Sequence, residues 1–256
     1  MSDGRALARQ YLEQQRLLGG DPVVLTPAEP ASGYPRGDAP GLPEPNPAPA
    51  PLPPPGVFYD PPAGDLFATD PISRCGTIEA VASLVAQCTR CRLCEGRTHT
   101  VPGEGPSDAR LAVVGEGPGR VEDETGRPFV GPAGELLTKI LAAIDLPREQ
   151  VFICNIVKCR PPENRQPLYD EIATCLPYLH RQLELLKPKV ILAMGNTAAQ
   201  SLLNTKQSLG SMRDHIHRFR GIPVIVTYHP AALLRNPNWK RPTWHDVNIA
   251  RRILSD

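Results

Sequence analysis

LAVVGEGPG, residues 111–119, opens on an apolar run and breaks into glycine, glutamate and proline. A short continuous apolar run ending in a turn signal reads as a buried strand, here residues 111–115. The pattern recurs at 151–157, 190–194 and 224–228. Between these runs the spacing changes to three and four. Leu136, Leu137, Ile140, Leu141 and Ile144 mark a helix over 132–144. Further helices are predicted over 168–186, with a distortion at Pro177, over 197–203 and over about 243–254. Upstream, Thr77 is placed to cap a helix running through Gln87, with Ile78, Val81, Leu84 and Val85 on one face. Strands alternating with helices predict an α/β fold: a three-layer αβα arrangement around a central four-stranded parallel sheet.

Ligands of such sheets sit beyond the carboxyl ends of the strands. The residues to inspect are therefore Gly115–Gly119, Asn155 with the loop to Arg165, Gly195 with Asn196, and His229 with Pro230. GEGPG lacks the G-x-G-x-x-G spacing and is not expected to open a helix, which weighs against a nicotinamide or flavin protein.

Outward from this core the composition shifts. The chain has 256 residues and 31 prolines, of which sixteen lie between Pro22 and Pro71. A stretch so poor in large apolar residues cannot bury enough surface to offset its ordering entropy, so 21–74 is expected to be a disordered linker. Residues 75–256 form the expected globular domain. Within 1–20, Leu7, Tyr11, Leu12 and Leu17 fit one face of a short helix over 4–18, open to docking on the main body or on a protein partner, or to remaining a loosely ordered extension. Residues 1–150 carry 13 basic and 20 acidic side chains against 15 and 7 in 151–256, a net of −7 against +8. Such asymmetry points to nucleic-acid contact in the second half. The polar N-terminus and the lack of a membrane-length apolar run predict a cytoplasmic, membrane-free protein.

Seven cysteines in a reducing compartment point to metal or catalysis rather than disulfides. Cys88 and Cys91 form a C-x2-C pair, Cys94 follows, and Cys159 and Cys175 lie after a strand and within a helix. Two close and two remote thiolates make a tetrahedral site. The spacing leaves zinc and iron–sulfur open, and leaves Cys94 open as a ligand. Cys75 and Cys154 read as small buried hydrophobes.

GEGPGRVEDETGRPFVGPAGELL (115–137), ICNIVKCRPPENRQP (153–167), HPAALLR (229–235), CTRCRLCEGRT (88–98) and GEGPSDARLAVVG (103–115) closely resemble the family 4 uracil-DNA glycosylases, over about 85–254. The resemblance implies base excision repair: a monofunctional hydrolase that flips uracil out of DNA and leaves an abasic site. It implies a four-iron, four-sulfur cluster held by Cys88, Cys91, Cys159 and Cys175, with Cys94 outside the ligand set. It also implies a monomer whose substrate is uracil-containing DNA, single- or double-stranded.

The same resemblance gives roles. Phe129 stacks on the base. The Asn155 amide pairs with uracil O4 and N3–H, a pattern that cytosine inverts. His229 donates to O2 as the glycosidic bond breaks. Glu116 and Asn164 are the candidates for placing water. Gly117 borders the base where better-known uracil glycosylases carry an aspartate. Gly119 leaves the rejection of the thymine methyl without an assigned residue. Glu122 and Asp123 are expected to support the loop. Leu233 is the expected wedge in the vacated stack, Arg235 a phosphate contact, and Lys158, Arg160, Arg165 and Arg213 further phosphate candidates. A non-catalytic DNA binder is the rival reading, disfavoured because CRPPENRQP stands where a covalently trapping relative has a basic insertion.

Overall fold

Six strands form one sheet in the order β1-β5-β6-β4-β2-β3. They are β1 (Pro55–Tyr59), β2 (Leu111–Gly115), β3 (Val151–Asn155), β4 (Val190–Met194), β5 (Ile216–Phe219) and β6 (Ile222–Thr227). The helices used below are α1 (Ile78–Ala86), α2 (Arg120–Thr125), α3 (Pro132–Ala143), α4 (Tyr169–Leu186), α5 (Asn196–Leu203), α6 (Pro230–Arg235) and α7 (Lys240–Ser255). The structure, a computed structural model, describes residues 51–61 and 70–255. The helix expected at 4–18 lies outside them, as does most of the proline-rich segment.

The four apolar runs are the parallel centre of the sheet. β2 pairs with β3 from Leu111↔Val151 to Gly115↔Asn155, with β4 on its other side, and β4 pairs with β6 as far as Met194↔Thr227. Every residue of β2, β3 and β4 is buried, as parallel strands covered on both faces require. One covering layer is α1, α4 and α5, whose Val81, Val85, Leu179, Leu183 and Leu202 share a core cluster with Val114, Phe152, Cys154 and Ile191. The opposite layer includes α7, which packs on β4 and β6, and α3, whose Leu137, Ile140 and Leu141 are buried.

Two strands extend this sheet beyond the expected four. β5 and β6 form an antiparallel hairpin closed by Arg220 and Gly221, both at positive φ (48° and 80°), the geometry of a tight two-residue hairpin turn. β1 comes from the segment expected to be a linker and pairs parallel with β5. Proline is tolerated at the first position of an edge strand. A Cβ on Gly56 would lie 2.5 Å from the His217 ring, and Val57 N–H donates to His217 Nδ1 at 2.8 Å. A glycine thus lets the strand close on a buried histidine.

One local reading is corrected. GEGPG does open a helix: Gly119 precedes α2, which ends at Gly126 in the left-handed region (φ 70°). The helix expected over 168–186 is α4, which contains Pro177.

Candidate active site

In-register pairing brings the carboxyl ends of β2, β3, β4 and β6 to one edge. There they open into a cleft of about 600 Å³ whose lining includes Glu116, Phe129, Asn155, Asn164, Met194 and His229. Gly117, Tyr228, Arg235 and Trp239 complete the part of the wall that matters below.

Gly115 ends β2 opposite Asn155 at the end of β3. A Cβ on Gly115 would lie 2.5 Å from both Asn155 Oδ1 and the Phe129 ring, so a bare backbone lets the amide and the aromatic converge. Asn155 is 1% exposed, and its Nδ2 is buried with no hydrogen-bond partner in the protein. An orphaned buried donor is expensive; one facing a cleft is a group waiting for an acceptor.

Phe129 is buried and holds φ at +50°, a conformation that bulky residues rarely adopt. Its surroundings impose it. Arg148 donates to the carbonyls of Phe129 and Pro128 at 2.8 and 2.5 Å. The Glu122 carboxylate accepts from the N–H groups of Val130, Gly131 and Gly119 at 2.9, 2.8 and 3.2 Å. Asp123 Oδ1 accepts from Thr98 N–H at 2.9 Å. Glu122 thus holds the loop that carries the aromatic ring, whereas Asp123 ties α2 to the segment at Thr98. Arg148 shares this task, and nothing in its local sequence marked it out.

His229 caps α6: its Nδ1 accepts from Ala231 N–H at 3.2 Å. Its ring centroid lies 5.5 Å from that of Phe129. Burial first, and then the charge of Arg235, push its pKa down to about 4. The ring is therefore neutral at physiological pH, with Nδ1 accepting and the proton on Nε2. It is a donor without a charge.

Glu116 follows β2 on the cleft wall, and its backbone carbonyl accepts from Val157 N–H at 3.1 Å. A Cβ on Gly117 would lie 2.8 Å from Val157 Cγ2, so a larger residue there would displace the loop after β3. Asn164 stands at the exposed rim with φ +55°, its Oδ1 accepting from Arg160 Nε at 2.8 Å.

Residues 102–248 match the family model described as the uracil DNA glycosylase superfamily. The chain belongs to that superfamily. Among the relatives of the uracil-DNA glycosylase family, a type-4 uracil-DNA glycosylase of Thermotoga maritima is 48% identical over 181 residues, 69% of this chain and 94% of that protein. A type-4 enzyme of Sulfurisphaera tokodaii is 42% identical over 189 residues, 69% and 84% of the two chains. A type-5 uracil-DNA glycosylase of Pyrobaculum aerophilum is more distant, at 29% over 202 residues, 72% and 88%.

A second, small pocket in this glycosylase fold is lined by Cys88, Cys91, Cys94, Cys159 and Cys175, together with Arg97 and Tyr178. All are free thiols, with Cys159 and Cys175 buried. Arg97 Nη1 bridges the Cys88 carbonyl at 2.7 Å and Cys159 Sγ at 3.2 Å. Lys158 N–H donates to Cys175 Sγ at 3.3 Å. Burial pushes the Cys175 thiol up to about 12. Soft donors converging under N–H groups and a guanidinium fit a thiolate-bound metal centre. Cys75 and Cys154 lie in the hydrophobic core, apart from this pocket.

The DNA-contact expectations need revision. Leu233 is 1% exposed, facing inward on a short helix packed against α3, whereas its neighbour Leu234 is 51% exposed. Lys158, expected on a phosphate, is 1% exposed and bonded within the core. Arg165 is taken by buried Glu171 (2.7 and 2.8 Å), and Arg213 by buried Asp246 (2.8 and 2.9 Å). Arg235 is exposed on the cleft rim. Tyr228 and Trp239 were not anticipated; an aromatic directly after β6 was the available signal for the first.

Proposed function

We propose that this chain removes uracil from DNA, hydrolysing the C1′–N1 bond of a flipped nucleotide and leaving an abasic site. The observation that carries the reading is the buried, unpartnered Asn155 Nδ2 beside the Phe129 ring at the end of β3.

A stacked base must leave the duplex before a pocket can hold it. Phe129 then supplies a fixed face for the pyrimidine. The Asn155 Nδ2–H donates to O4, and Oδ1 accepts from N3–H. Cytosine offers a donor and an acceptor in the opposite places, leaving buried groups unpaired. As C1′–N1 breaks, its electron pair leaves with the base and spreads onto O2, where the His229 Nε2–H donates. A neutral donor suits a developing anion, and a preorganised one needs no rearrangement as charge appears. Glu116 and Asn164, both on the cleft wall, would orient the water whose oxygen bonds to C1′ and whose proton is released. Arg235 meets a backbone phosphate at the rim.

Cys88, Cys91, Cys159 and Cys175 would hold a four-iron, four-sulfur cluster, with Cys94 beside it. When bound, the cluster supplies a cross-link between the 88–97 segment, the loop after β3 and α4. No helix among the described residues is long and apolar enough to cross a membrane, and we place the enzyme in the cytoplasm, on chromosomal DNA, as a monomer. A protein partner for residues 1–20 belongs to the same reading.

A labelled oligonucleotide carrying one uracil, treated with protein and then alkali, tests this. Cleavage at the uracil by wild type, with strong loss in His229→Ala, is expected. Tight binding of the oligonucleotide without any cleavage would replace the enzyme with a binding protein.

A further inference from the structure

The rim of the cleft carries an aromatic stack that the excision chemistry does not use. Tyr228 directly follows β6, and Trp239 closes the turn Pro237–Trp239 after α6. Their rings are stacked, with centroids 4.7 Å apart and planes 8° from parallel. The Arg213 guanidinium lies over the Tyr228 ring, 4.8 Å from its centroid. Tyr228 is thus contacted by both the Trp239 ring and the Arg213 guanidinium. The inner end is rigid, because Asp246, 1% exposed, grips Arg213 through two hydrogen bonds of 2.8 and 2.9 Å. Asp246 also accepts from Thr227 Oγ1 at 2.7 Å.

The outer end is open. Trp239 is 36% exposed, and with Leu234 at 51% it puts two of the large exposed hydrophobic residues of the described chain within one short segment. Arg235 lies between them, and Tyr228, Trp239 and Arg235 all line the cleft. An exposed indole braced from behind, an apolar neighbour and a cation beside it are the parts with which proteins hold single-stranded nucleic acid: stacking for the base, charge for the backbone.

We propose that Trp239, backed by Tyr228 and Arg213, is a stacking platform for a nucleobase next to the excised uracil on the same strand. The proposal rests on the cleft being the uracil pocket. It makes Trp239 a substrate-binding residue that acts on a second, unpaired base and favours single-stranded substrate. Trp239 touches no reacting atom, so its loss raises KM and leaves kcat in place.

The test compares three single-stranded oligonucleotides, each with one uracil. One has normal neighbours, one a tetrahydrofuran spacer directly 5′ of the uracil, and one the same spacer directly 3′. Wild type is expected to lose roughly 5- to 100-fold in kcat/KM, through KM, on one of the two spacers. Trp239→Ala should show that loss already on the normal oligonucleotide and no further loss on that spacer, while Trp239→Phe restores most of it. Equal activity of wild type and Trp239→Ala on the normal strand would overturn the platform. So would a Trp239→Ala defect that adds fully to the spacer defect, since that marks a purely structural support of Tyr228. If Trp239→Ala does not fold, Trp244→Phe leaves Trp239 as the sole tryptophan. Its fluorescence should then be quenched on titration with the normal strand and much less with the critical spacer; identical titrations would refute the proposal. Failure of wild type to release uracil from any strand would instead sink the glycosylase reading.

Discussion

Lys158 Nζ donates to the backbone carbonyl of Asn155 at 2.9 Å and to Gln182 Oε1 at 2.7 Å, wholly inside the protein. Gln182 Nε2 in turn donates to the Pro102 carbonyl at 2.7 Å. Asn155 is thus pinned from behind by the side chain next in sequence to Cys159, and the Lys158 N–H bonds Cys175. Burial lowers the Lys158 pKa; its bonds to two oxygens are what retain it there.

Lys158→Met should therefore leave two buried carbonyl oxygens short of a donor. The expected loss is about 2–5 kcal/mol of stability, read as a lower midpoint in urea unfolding. Activity per folded molecule should fall as well, because Asn155 loses its anchor.

His229 and His180 both have pKa values pushed down to about 4, by burial first and then by the charges of Arg235 and Arg220 respectively. Unfolded histidine titrates near 6.5. Between about 4 and 6.5 the unfolded chain binds more protons than the native one, so stability rises with pH across that window. Full stability is present above 6.5 and declines as pH falls towards 4. Unfolding at pH 5 and pH 7.5 should show this slope, and His229→Gln should flatten it.

Removing the His229 donor should lower kcat by about 10²–10³, as loss of one oxyanion-type hydrogen bond does, with little change in KM. Single-turnover rates of uracil release for His229→Ala would check this. A KM effect alone would assign His229 to binding rather than to the transition state.

The five cysteines of the second pocket separate by substitution. If the proposed cluster is bound, wild type should be brown and carry iron; Cys159→Ala and Cys175→Ala should lose both and much of the thermal stability, whereas Cys94→Ala should keep all three. Visible absorbance and iron content on the purified variants decide the ligand set directly.

Most of the site was legible because its residues follow apolar runs. Asn155 ends β3, GEGPG begins on the last residue of β2 and His229 follows β6 after Tyr228, and a parallel sheet brings such positions together. β1 was not legible. It is a short edge strand that begins on the last of three consecutive prolines, held by Gly56 and His217, a pairing 160 residues apart that no local pattern reveals. α2 escaped because glycine and proline before it read as a loop, although Glu122 in its first turn reaches back to Gly119. Side-chain direction was the other gap. Leu233 and Leu234 are indistinguishable in sequence, yet the packing of α6 on α3 buries the first and exposes the second. For Lys158, Arg165 and Arg213, positive charge suggested DNA; buried partners, Gln182, Glu171 and Asp246, claimed them instead.

The central claim is that the Asn155 amide reads the base. Mass-spectrometric detection of the free base released from oligonucleotides containing uracil or cytosine tests it most directly, for wild type and Asn155→Asp. Wild type should release uracil and leave cytosine, and Asn155→Asp, which loses the donor to O4, should release uracil at least about 100-fold more slowly. Wild-type rates in Asn155→Asp, or cytosine release by the unaltered protein, would contradict it.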